Sequence, residues 1–325
     1  MKKIILSGMR PTGRLHIGHY VGALENWISL QNEFQNYHLV ADYHALTTNQ
    51  DSTNIEQHTI DMVMDWLAAG IDPEKSPIFR QSQIKQHAEL FLIFSMLITT
   101  GRLERNPTLK EQVRDEESDS IVYGFLGYPV LQSADILLYK GQVVPVGEDQ
   151  LAHIEITREI ARKFNLQYGN VFPEAEAKLT KISRLPGLDG KAKMSKSLGN
   201  TVFLSDPPEE IEKTLKKAVT DTQKIRKNDP GRPEVCVVYT YHEKFNPTES
   251  EQIAVDCRSG ALGCVTCKIN CASKISSFFE PLRERRKPFE EKPELVKQIL
   301  LDGEAKARKV AEKTMAEVHQ VMRLG

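Results

Sequence analysis

The stretch Lys3-Ile4-Ile5-Leu6-Ser7-Gly8-Met9-Arg10-Pro11-Thr12-Gly13-Arg14-Leu15-His16-Ile17-Gly18-His19 decides how this chain folds. It opens with a short apolar run, which predicts a buried strand, and passes through two glycines to a pair of histidines. Apolar runs at 38–41 and 77–80 predict two more strands, with helical spacing between them. Strands that alternate with helices form a parallel sheet, and ligands bind beyond the carboxyl ends of such strands. We therefore expect an α/β fold, with a Rossmann-like parallel-sheet nucleotide-binding domain and a site just after Leu6.

The composition of the 325-residue chain excludes several classes of protein. With 40% apolar and 27% charged residues, it is neither collagen, nor a coiled coil, nor wholly disordered. No apolar run approaches the length of a membrane span, and the start of the chain is too short in apolar residues for a signal peptide. These observations predict a cytoplasmic protein with no membrane partner. The balance of 43 basic and 44 acidic residues neither indicates nor excludes a nucleic-acid partner.

A loop rich in glycine and lysine separates two parts of the chain. Residues 186–200 hold three glycines and three lysines without helical or strand periodicity. From residue 207 onwards the pattern is helical, with breaks near Pro230 and Pro247. We therefore expect a catalytic domain over 1–200 and an all-helical C-terminal domain over 201–325.

The histidine segment has the features of a polyphosphate site. His16 and His19 lie where a helix is expected to begin, so imidazoles and helix N-terminal amides would meet there. Gly18 has no side chain and would let a nucleotide approach the backbone closely. In the alternative interpretation, His16 caps the helix locally and the glycines only shape turns.

The second notable motif lies inside the lysine-rich loop and reads Lys193-Met194-Ser195-Lys196-Ser197. Two lysines three residues apart can reach one phosphate group, and the serines add hydroxyl donors. Taken together, His-Ile-Gly-His at 16–19 and this pentapeptide resemble the HIGH and KMSKS motifs of class I aminoacyl-tRNA synthetases.

The middle of the chain narrows the resemblance. Residues 128–139, Tyr-Pro-Val-Leu-Gln-Ser-Ala-Asp-Ile-Leu-Leu-Tyr, and 144–150, Val-Pro-Val-Gly-Glu-Asp-Gln, are similar to the bacterial tryptophanyl-tRNA synthetases. The resemblance covers essentially the whole chain. It implies an ATP- and Mg²⁺-dependent ligase that activates L-tryptophan to the adenylate, releases pyrophosphate and transfers tryptophan to tRNA(Trp). It also implies a homodimer.

By this resemblance, Asp135 accepts the indole N–H of tryptophan, which is a donor only. A carboxylate in that position would be left unpaired by phenylalanine, and this would give specificity. In the alternative interpretation, Asp135 merely caps a helix. The other residues implied for tryptophan binding are Tyr128, Gln150, His44, Val144 and Val146.

The same resemblance implies the ATP site and the catalytic groups. The expected catalytic residues are His16, His19, Lys193 and Lys196. The expected ATP-binding residues are Arg10, Pro11, Thr12, Gly18, His19, Gly147, Glu148, Asp149, Leu185, Lys193, Met194, Ser195, Lys196 and Ser197. Two positions depart from the family pattern: Arg10 stands where many members have Gln, and Gln132 replaces an apolar residue of the pocket wall.

All five cysteines fall within the C-terminal part of the chain. Four of them, Cys236, Cys257, Cys264 and Cys267, follow the spacing C-x20-C-x6-C-x2-C, and Cys271 comes shortly after. Clustered thiols in a cytosolic protein predict a bound metal centre, but spacing alone does not distinguish zinc from a 4Fe–4S cluster. A subset of the bacterial tryptophanyl-tRNA synthetases has a similar set that binds a 4Fe–4S cluster. The resemblance therefore implies that cluster here, with zinc as the alternative and Cys271 as a spare thiol.

The C-terminal part also offers side chains for RNA. Seven basic residues are candidates for phosphate contacts: Arg258, Lys268, Lys274, Arg283, Arg285, Arg286 and Lys287. Tyr239 and Tyr241 are candidates for stacking on anticodon bases. Three other functions remain open from sequence: a tyrosyl-tRNA synthetase, an adenylyltransferase of the HIGH superfamily, and a non-catalytic paralogue that senses redox state through its cysteines.

Overall fold

The computed structural model describes residues 2–115, 121–179, 185–191, 194–196 and 198–324. Within these residues, the core of the molecule is a five-stranded sheet in which every pair of neighbours is parallel. The strands are β1 (Ile4–Met9), β2 (Gln35–Val40), β3 (Ile78–Arg80), β4 (Val143–Val146) and β5 (Glu176–Leu179), in the order β3-β2-β1-β4-β5. The predicted α/β class with a Rossmann-like parallel sheet is confirmed.

Helices connect the strands and cover the sheet. The first connection begins with α1 (Ile17–His19), continues through a π-helical turn (Tyr20–Leu24) and ends with α2 (Glu25–Leu30). The remaining helices of this half are α3 (Asp42–Leu46), α4 (Ile55–Ala69), α5 (Gln86–Ser95), α6 (Thr100–Glu104), α7 (Pro107–Asp115), α8 (Tyr123–Leu138) and α9 (Leu151–Tyr168). Helix α4 buries Met62, Val63 and Trp66, whose spacing predicts one apolar side, but the helix is buried on all sides from Met62 to Ala69.

Past residue 200, the regular elements of the described chain are all helical, as predicted. They are α10 (Pro208–Lys216), α11 (Val237–Phe245), α12 (Pro247–Ser259), α13 (Cys264–Glu291) and α14 (Pro293–Met322). Helix α10 has proline at its N-terminus and Glu209 and Glu210 in its first turn, where they complement the helix dipole. No described helix combines the length and the apolar character needed to cross a membrane.

The two parts of the chain share their hydrophobic packing. The segment after residue 200 pairs with the histidine segment, because Ile17 N–H donates to the carbonyl of Val202 (3.0 Å) and Leu204 N–H donates to that of Leu15 (2.9 Å). Helix α14 lies directly on β3, where a Cβ added to Gly303 would be 1.9 Å from the carbonyl oxygen of Ile78. The last helix therefore covers the sheet of the N-terminal half.

Candidate functional site

A cavity of about 470 Å³ opens at the carboxyl ends of β1, β2 and β4. This is the position at which parallel sheets bind ligands. All six residues predicted to bind tryptophan line the cavity, as do Arg10 and Gly147 from the predicted ATP site. Sequence reasoning did not assign Met9, Ala23, Asn26, Trp27 and Ala41, which also contribute to the wall.

Asp135, on α8, is the acidic group of this cavity, and its carboxylate is held by three side chains. Gln81 Nε2 donates to both oxygens (2.7 and 2.9 Å), His44 Nε2 lies 2.8 Å from Oδ2, and His87 Nδ1 lies 2.6 Å from Oδ1. Burial opposes ionisation, but hydrogen bonds and charge from His44 and His87 hold the pKa of Asp135 at about 2. The carboxylate is therefore an ionised acceptor with a fixed orientation. His87 is itself fixed by Tyr139, whose hydroxyl lies 2.9 Å from Nε2.

Tyr128 is held by a second buried chain of hydrogen bonds. Its hydroxyl lies 2.8 Å from Nε2 of His153, and Nδ1 of that ring lies 2.8 Å from the amide nitrogen of Asn106. Because the Asn106 amide nitrogen can only donate, His153 accepts at Nδ1 and donates from Nε2 to Tyr128. Burial lowers the pKa of His153 to about 4, which agrees with a neutral ring. Neither Asn106 nor His153 was predicted from the sequence.

The two histidines of the 16–19 segment contact one another. Their ring centroids are 3.7 Å apart, and the backbone N–H of His16 donates to Nδ1 of His19 (3.3 Å). Burial and the charge of Lys196 lower the pKa of His16 to about 4. Burial, His16 and Lys196 lower that of His19 to about 3. Both rings are therefore neutral near pH 7, so they can exchange hydrogen bonds with a ligand but add no positive charge.

The lysine loop lies against the histidine segment. A Cβ on Gly18 would be 3.0 Å from the His16 ring and 3.1 Å from Sδ of Met194, so a larger residue would require these two side chains to shift. Lys196 Nζ donates to the carbonyl oxygen of Thr12 (2.5 Å) and contacts its hydroxyl (3.2 Å). Burial lowers the pKa of Lys196 to about 8, against the opposing charges of Asp65 and Asp61. Lys193 and Ser197, which the sequence also singled out, lie outside the described residues.

The remaining residues predicted for ATP lie around these two motifs. Leu185 and Met194 are buried in one hydrophobic cluster, and Ser195 N–H donates to Oδ1 of Asn200 (2.8 Å). Glu148 and Asp149 are exposed in a 3-10 turn directly after β4. Of the predicted set, Arg10 and Gly147 line the cavity described above, whereas Lys196 lines a second pocket beside Arg14. The role of the set in ATP binding stays a prediction.

The C-terminal cysteines come from three helices and lie near one another. Cys236 immediately precedes α11, Cys257 is near the end of α12, and Cys264 and Cys267 form the first turn of α13. Burial, followed by the nearby thiols of Cys236, Cys257 and Cys264, raises the pKa of Cys267 to about 12. In the described ranges, however, no group of three or more His, Cys, Asp or Glu side chains is arranged to hold a metal ion. The described residues therefore do not show the predicted metal site.

The structure changes the interpretation of several residues considered for RNA. Tyr241 is fully buried and donates its hydroxyl to the carbonyl of Pro186 (2.7 Å), so it cannot stack on a base. Arg285 and Arg286 bind α4 through the carbonyl of Ala68 and the carboxylate of Asp65. These side chains hold the protein's own helices together.

The chain has close relatives among known proteins. Residues 2–280 match the family described as tRNA synthetases class I (W and Y). A tryptophan–tRNA ligase of Thermotoga maritima is 50% identical over 98% of this chain and 99% of that protein. A tryptophan–tRNA ligase of Aquifex aeolicus is 43% identical over 98% of this chain and 99% of that protein. The crystal structure of a Campylobacter jejuni tryptophanyl-tRNA synthetase complexed with ADP and tryptophan, 35% identical, matches with a TM-score of 0.88 over 99% of this chain and 100% of that one.

Proposed function

Because the chain belongs to the class I tRNA synthetases for tryptophan and tyrosine, we propose its function from that premise: it is a tryptophan–tRNA ligase. It activates L-tryptophan with ATP and transfers the amino acid to tRNA(Trp). The observation that carries the proposal is the ionised, oriented carboxylate of Asp135 in the cavity, which provides an acceptor for the indole N–H. A phenol could also donate to this carboxylate. The relatives decide between the two amino acids, since full-length matches at 38–50% identity are tryptophan–tRNA ligases.

In the first step, the carboxylate of tryptophan attacks the α-phosphorus of ATP, a P–O bond to the substrate forms, and pyrophosphate leaves. This reaction requires positioning and charge stabilisation rather than a protein nucleophile. We assign His16 and His19 as neutral hydrogen-bonding partners of the phosphates and ribose. Lys193 and Lys196 would supply positive charge to the leaving pyrophosphate. Mg²⁺, which we expect to be held by phosphate oxygens and water, would neutralise charge on the triphosphate.

Arg10 is the distinctive residue of this proposed site. It lines the same cavity as Asp135, and its Nη1 lies 3.4 Å from the hydroxyl of Thr48. With the indole at Asp135, a guanidinium on the cavity wall is suited to the substrate carboxylate or to a phosphate. We assign Pro11 and Thr12 to the same side of the triphosphate, and Gly147, Glu148 and Asp149 to the ribose and adenine.

The test of the proposal is ATP–pyrophosphate exchange dependent on an amino acid. We expect exchange with tryptophan and none with tyrosine or without an amino acid. Exchange with tyrosine alone would assign the chain to the tyrosine enzymes. Absence of exchange with every amino acid would favour a non-catalytic paralogue, and Lys196→Ala would then leave its cellular function unaltered.

We further propose that residues 1–200 form the catalytic domain and that 201–325 recognise the tRNA. A truncated chain of residues 1–200 would lack α14, which covers the sheet. Truncation would therefore disturb the fold and would not test this division. Footprinting of tRNA(Trp) bound to the full chain would test it. Anticodon protection that is lost on substitution of residues in α11–α13, while amino-acid activation is retained, is the expected result.

We also propose that Cys236, Cys257, Cys264 and Cys267 hold a 4Fe–4S cluster, with zinc as the alternative occupant. Four soft thiols from adjoining helices form the donor set that both centres prefer, and a bound cluster would join those helices. The test is iron, sulfide and zinc analysis of anaerobically purified protein, together with the visible absorption spectrum. Cys264→Ser should abolish the metal, whereas Cys271→Ser, in the same helix but outside the set, should retain it.

The role of such a centre follows from two further measurements on these variants. If the cluster only stabilises the fold, its loss in Cys264→Ser should lower the melting temperature and leave the tRNA affinity of the folded fraction unchanged. A cluster that positions an anticodon-reading segment would weaken tRNA binding while the fold persists.

Finally, we propose a cytoplasmic homodimer. Leu92 of α5 (58%) and Met96, directly after that helix (69%), are exposed. Tyr123 (65%) is exposed at the start of α8, which packs against α5. Exposed apolar side chains on adjoining helices are typical of a subunit contact. Light scattering should give twice the mass of the chain, and Met96→Glu should shift it to the monomer. A monomeric wild-type protein would contradict this proposal.

A further inference from the structure

A buried carboxylate is hydrogen-bonded to the backbone of the histidine segment. Asp65, on α4, is fully buried, and its Oδ2 accepts the backbone N–H of Leu15 (2.6 Å). Leu15 directly precedes His16, and its side chain is itself buried. On the opposite side, the same short segment is paired with residues 202–204. The backbone that leads into the two histidines is therefore held at two points.

Arg286, from α13, provides the counter-charge for this carboxylate. Its Nε donates to Oδ1 of Asp65 (2.7 Å), and only 5% of Arg286 is exposed. A second contact, to Glu290 in the next turn of α13, fixes the other arm of the guanidinium. Arg286 lies 221 residues along the chain from Asp65, so this ion pair joins the C-terminal helices to the histidine segment.

The ion pair determines whether Asp65 can remain an acceptor. Burial raises the pKa of Asp65, while the charge of Arg286 and the hydrogen bond from Leu15 oppose that rise. Without the guanidinium, the buried carboxylate would carry an unpaired charge or take up a proton. The cost of a buried unpaired charge favours the proton, and a protonated carboxyl group is a weaker acceptor for the Leu15 N–H. A buried N–H without a good acceptor is costly.

We propose that Arg286 is a positioning residue for the ATP half of the site, acting through Asp65 and the backbone of Leu15 to fix His16 and His19. The inference rests on the proposed role of these histidines as ATP contacts. It goes beyond that role, because it makes the geometry of the ATP site depend on a side chain of the C-terminal helices. Asp65 also lies close enough to Lys196 for its charge to favour the ammonium form, so the same carboxylate influences both motifs.

The chain contains a matched ion pair for comparison. Glu304, on α14, is also buried, and it binds Arg80 at the end of β3 through two contacts of 2.6 and 3.3 Å. The residue after Arg80 is Gln81, which donates to Asp135. This pair therefore links a C-terminal helix to the tryptophan half of the site, and not to the histidines.

The experiment compares Arg286→Met, Arg286→Lys and Glu304→Gln in tryptophan-dependent ATP–pyrophosphate exchange, using the full chain at a temperature where each variant is folded. We expect Arg286→Met to raise KM for ATP about five- to tenfold and to change KM for tryptophan less than twofold. Arg286→Lys, which keeps the charge, should restore most of the ATP affinity. Glu304→Gln should leave KM for ATP within twofold of the wild type.

A double variant separates positioning from stability. Asp65→Leu combined with Arg286→Met removes both charges, so its melting temperature should recover relative to Arg286→Met alone. Its KM for ATP should stay raised, because the Leu15 N–H still lacks an acceptor. If the two KM values rise by the same factor in Arg286→Met, or if Glu304→Gln raises KM for ATP equally, the proposal is overturned. Loss of exchange in the wild type itself would instead contradict the proposed function.

Discussion

Lys196 is hydrogen-bonded to Thr12: its ammonium group donates to the Thr12 carbonyl oxygen at 2.5 Å and contacts the Thr12 hydroxyl at 3.2 Å. This contact joins the lysine loop to the loop that precedes the histidines. The ammonium group is thus already directed toward the place proposed for the phosphates, and a bound triphosphate would compete with Thr12 for it.

Replacing Lys196 by Met should lower kcat for exchange by about two to three orders of magnitude, because it removes a charge that acts on the leaving pyrophosphate. Lys191→Met is the control, since Lys191 is exposed in the same loop. It should leave kcat within twofold. Similar losses in both variants would indicate that the loop as a whole, and not this ammonium group, is needed.

The pKa of Lys196, which is about 8, predicts that ATP binding depends on pH. The charged form of Lys196 is lost as pH rises through 8, so KM for ATP should increase between pH 7.5 and 9. Arginine stays charged across this range. Lys196→Arg should therefore show a flatter profile, whatever its absolute activity. An equally steep profile would assign the effect to another group.

Buried neutral histidines should make the fold sensitive to acid. His38 is fully buried between aromatic rings, stacked on Trp27, and burial lowers its pKa to about 3. Its ordinary value is 6.5, so the unfolded chain binds the proton first, and stability falls as pH drops below 6.5. At pH 5 this one ring costs about 2 kcal/mol of unfolding free energy relative to pH 7.

The variant His38→Phe tests this, because neither ring nitrogen of His38 has a hydrogen-bond partner among the described residues. Urea unfolding should show that His38→Phe loses about 2 kcal/mol less unfolding free energy than the wild type when the pH is lowered from 7 to 5. His319→Gln, at an exposed ion pair with Glu89, serves as the control. An unchanged pH dependence in His38→Phe would contradict the assignment.

Asp135→Asn should weaken tryptophan binding selectively. The ionised acceptor is replaced by an amide that must also face the donors of Gln81, His44 and His87. A charged hydrogen bond of this kind contributes about 2–3 kcal/mol, or roughly a 30- to 150-fold rise in KM for tryptophan. KM for ATP should change little. Parallel rises in both constants would point to a general disturbance of the cavity.

Gly303→Ala should destabilise the fold without touching the site. Its added methyl group would meet the Ile78 carbonyl oxygen at 1.9 Å, so α14 must move away from β3, at a cost of about 1–3 kcal/mol. Gly124→Ala, in α8 with nothing within 4 Å, should be neutral or stabilising by up to about 1 kcal/mol. Thermal melts of the two variants provide the comparison.

The sequence predicted the first three strands and six residues that line the cavity, because local patterns and motifs specify both. It did not reveal β4 or β5. Pro145 interrupts the apolar run of β4, and the polar residues of β5 suit an edge strand that is largely exposed. Their places in the sheet depend on neighbours far along the chain.

The residues that hold the site in place could not all be predicted from local sequence patterns either. Gln81 could have been found, since it directly follows β3 at the carboxyl end of the sheet. His87 and His153 give no such signal, because a buried histidine looks like any other in a helical pattern. The basic residues of α13 read as an RNA surface, and only the fold shows that Arg285 and Arg286 bind α4.

The packing of α14 has a consequence for synthesis of the protein on the ribosome. Ala307, Ala311, Met315 and Val318 belong to the same hydrophobic cluster as Leu39 and Val144 of the strands. At roughly 5–20 residues per second, those strands emerge many seconds before the helix that covers them. The nascent chain therefore exposes part of its sheet until α14 has been synthesised, and exposed apolar surface of this kind is what chaperones protect from aggregation.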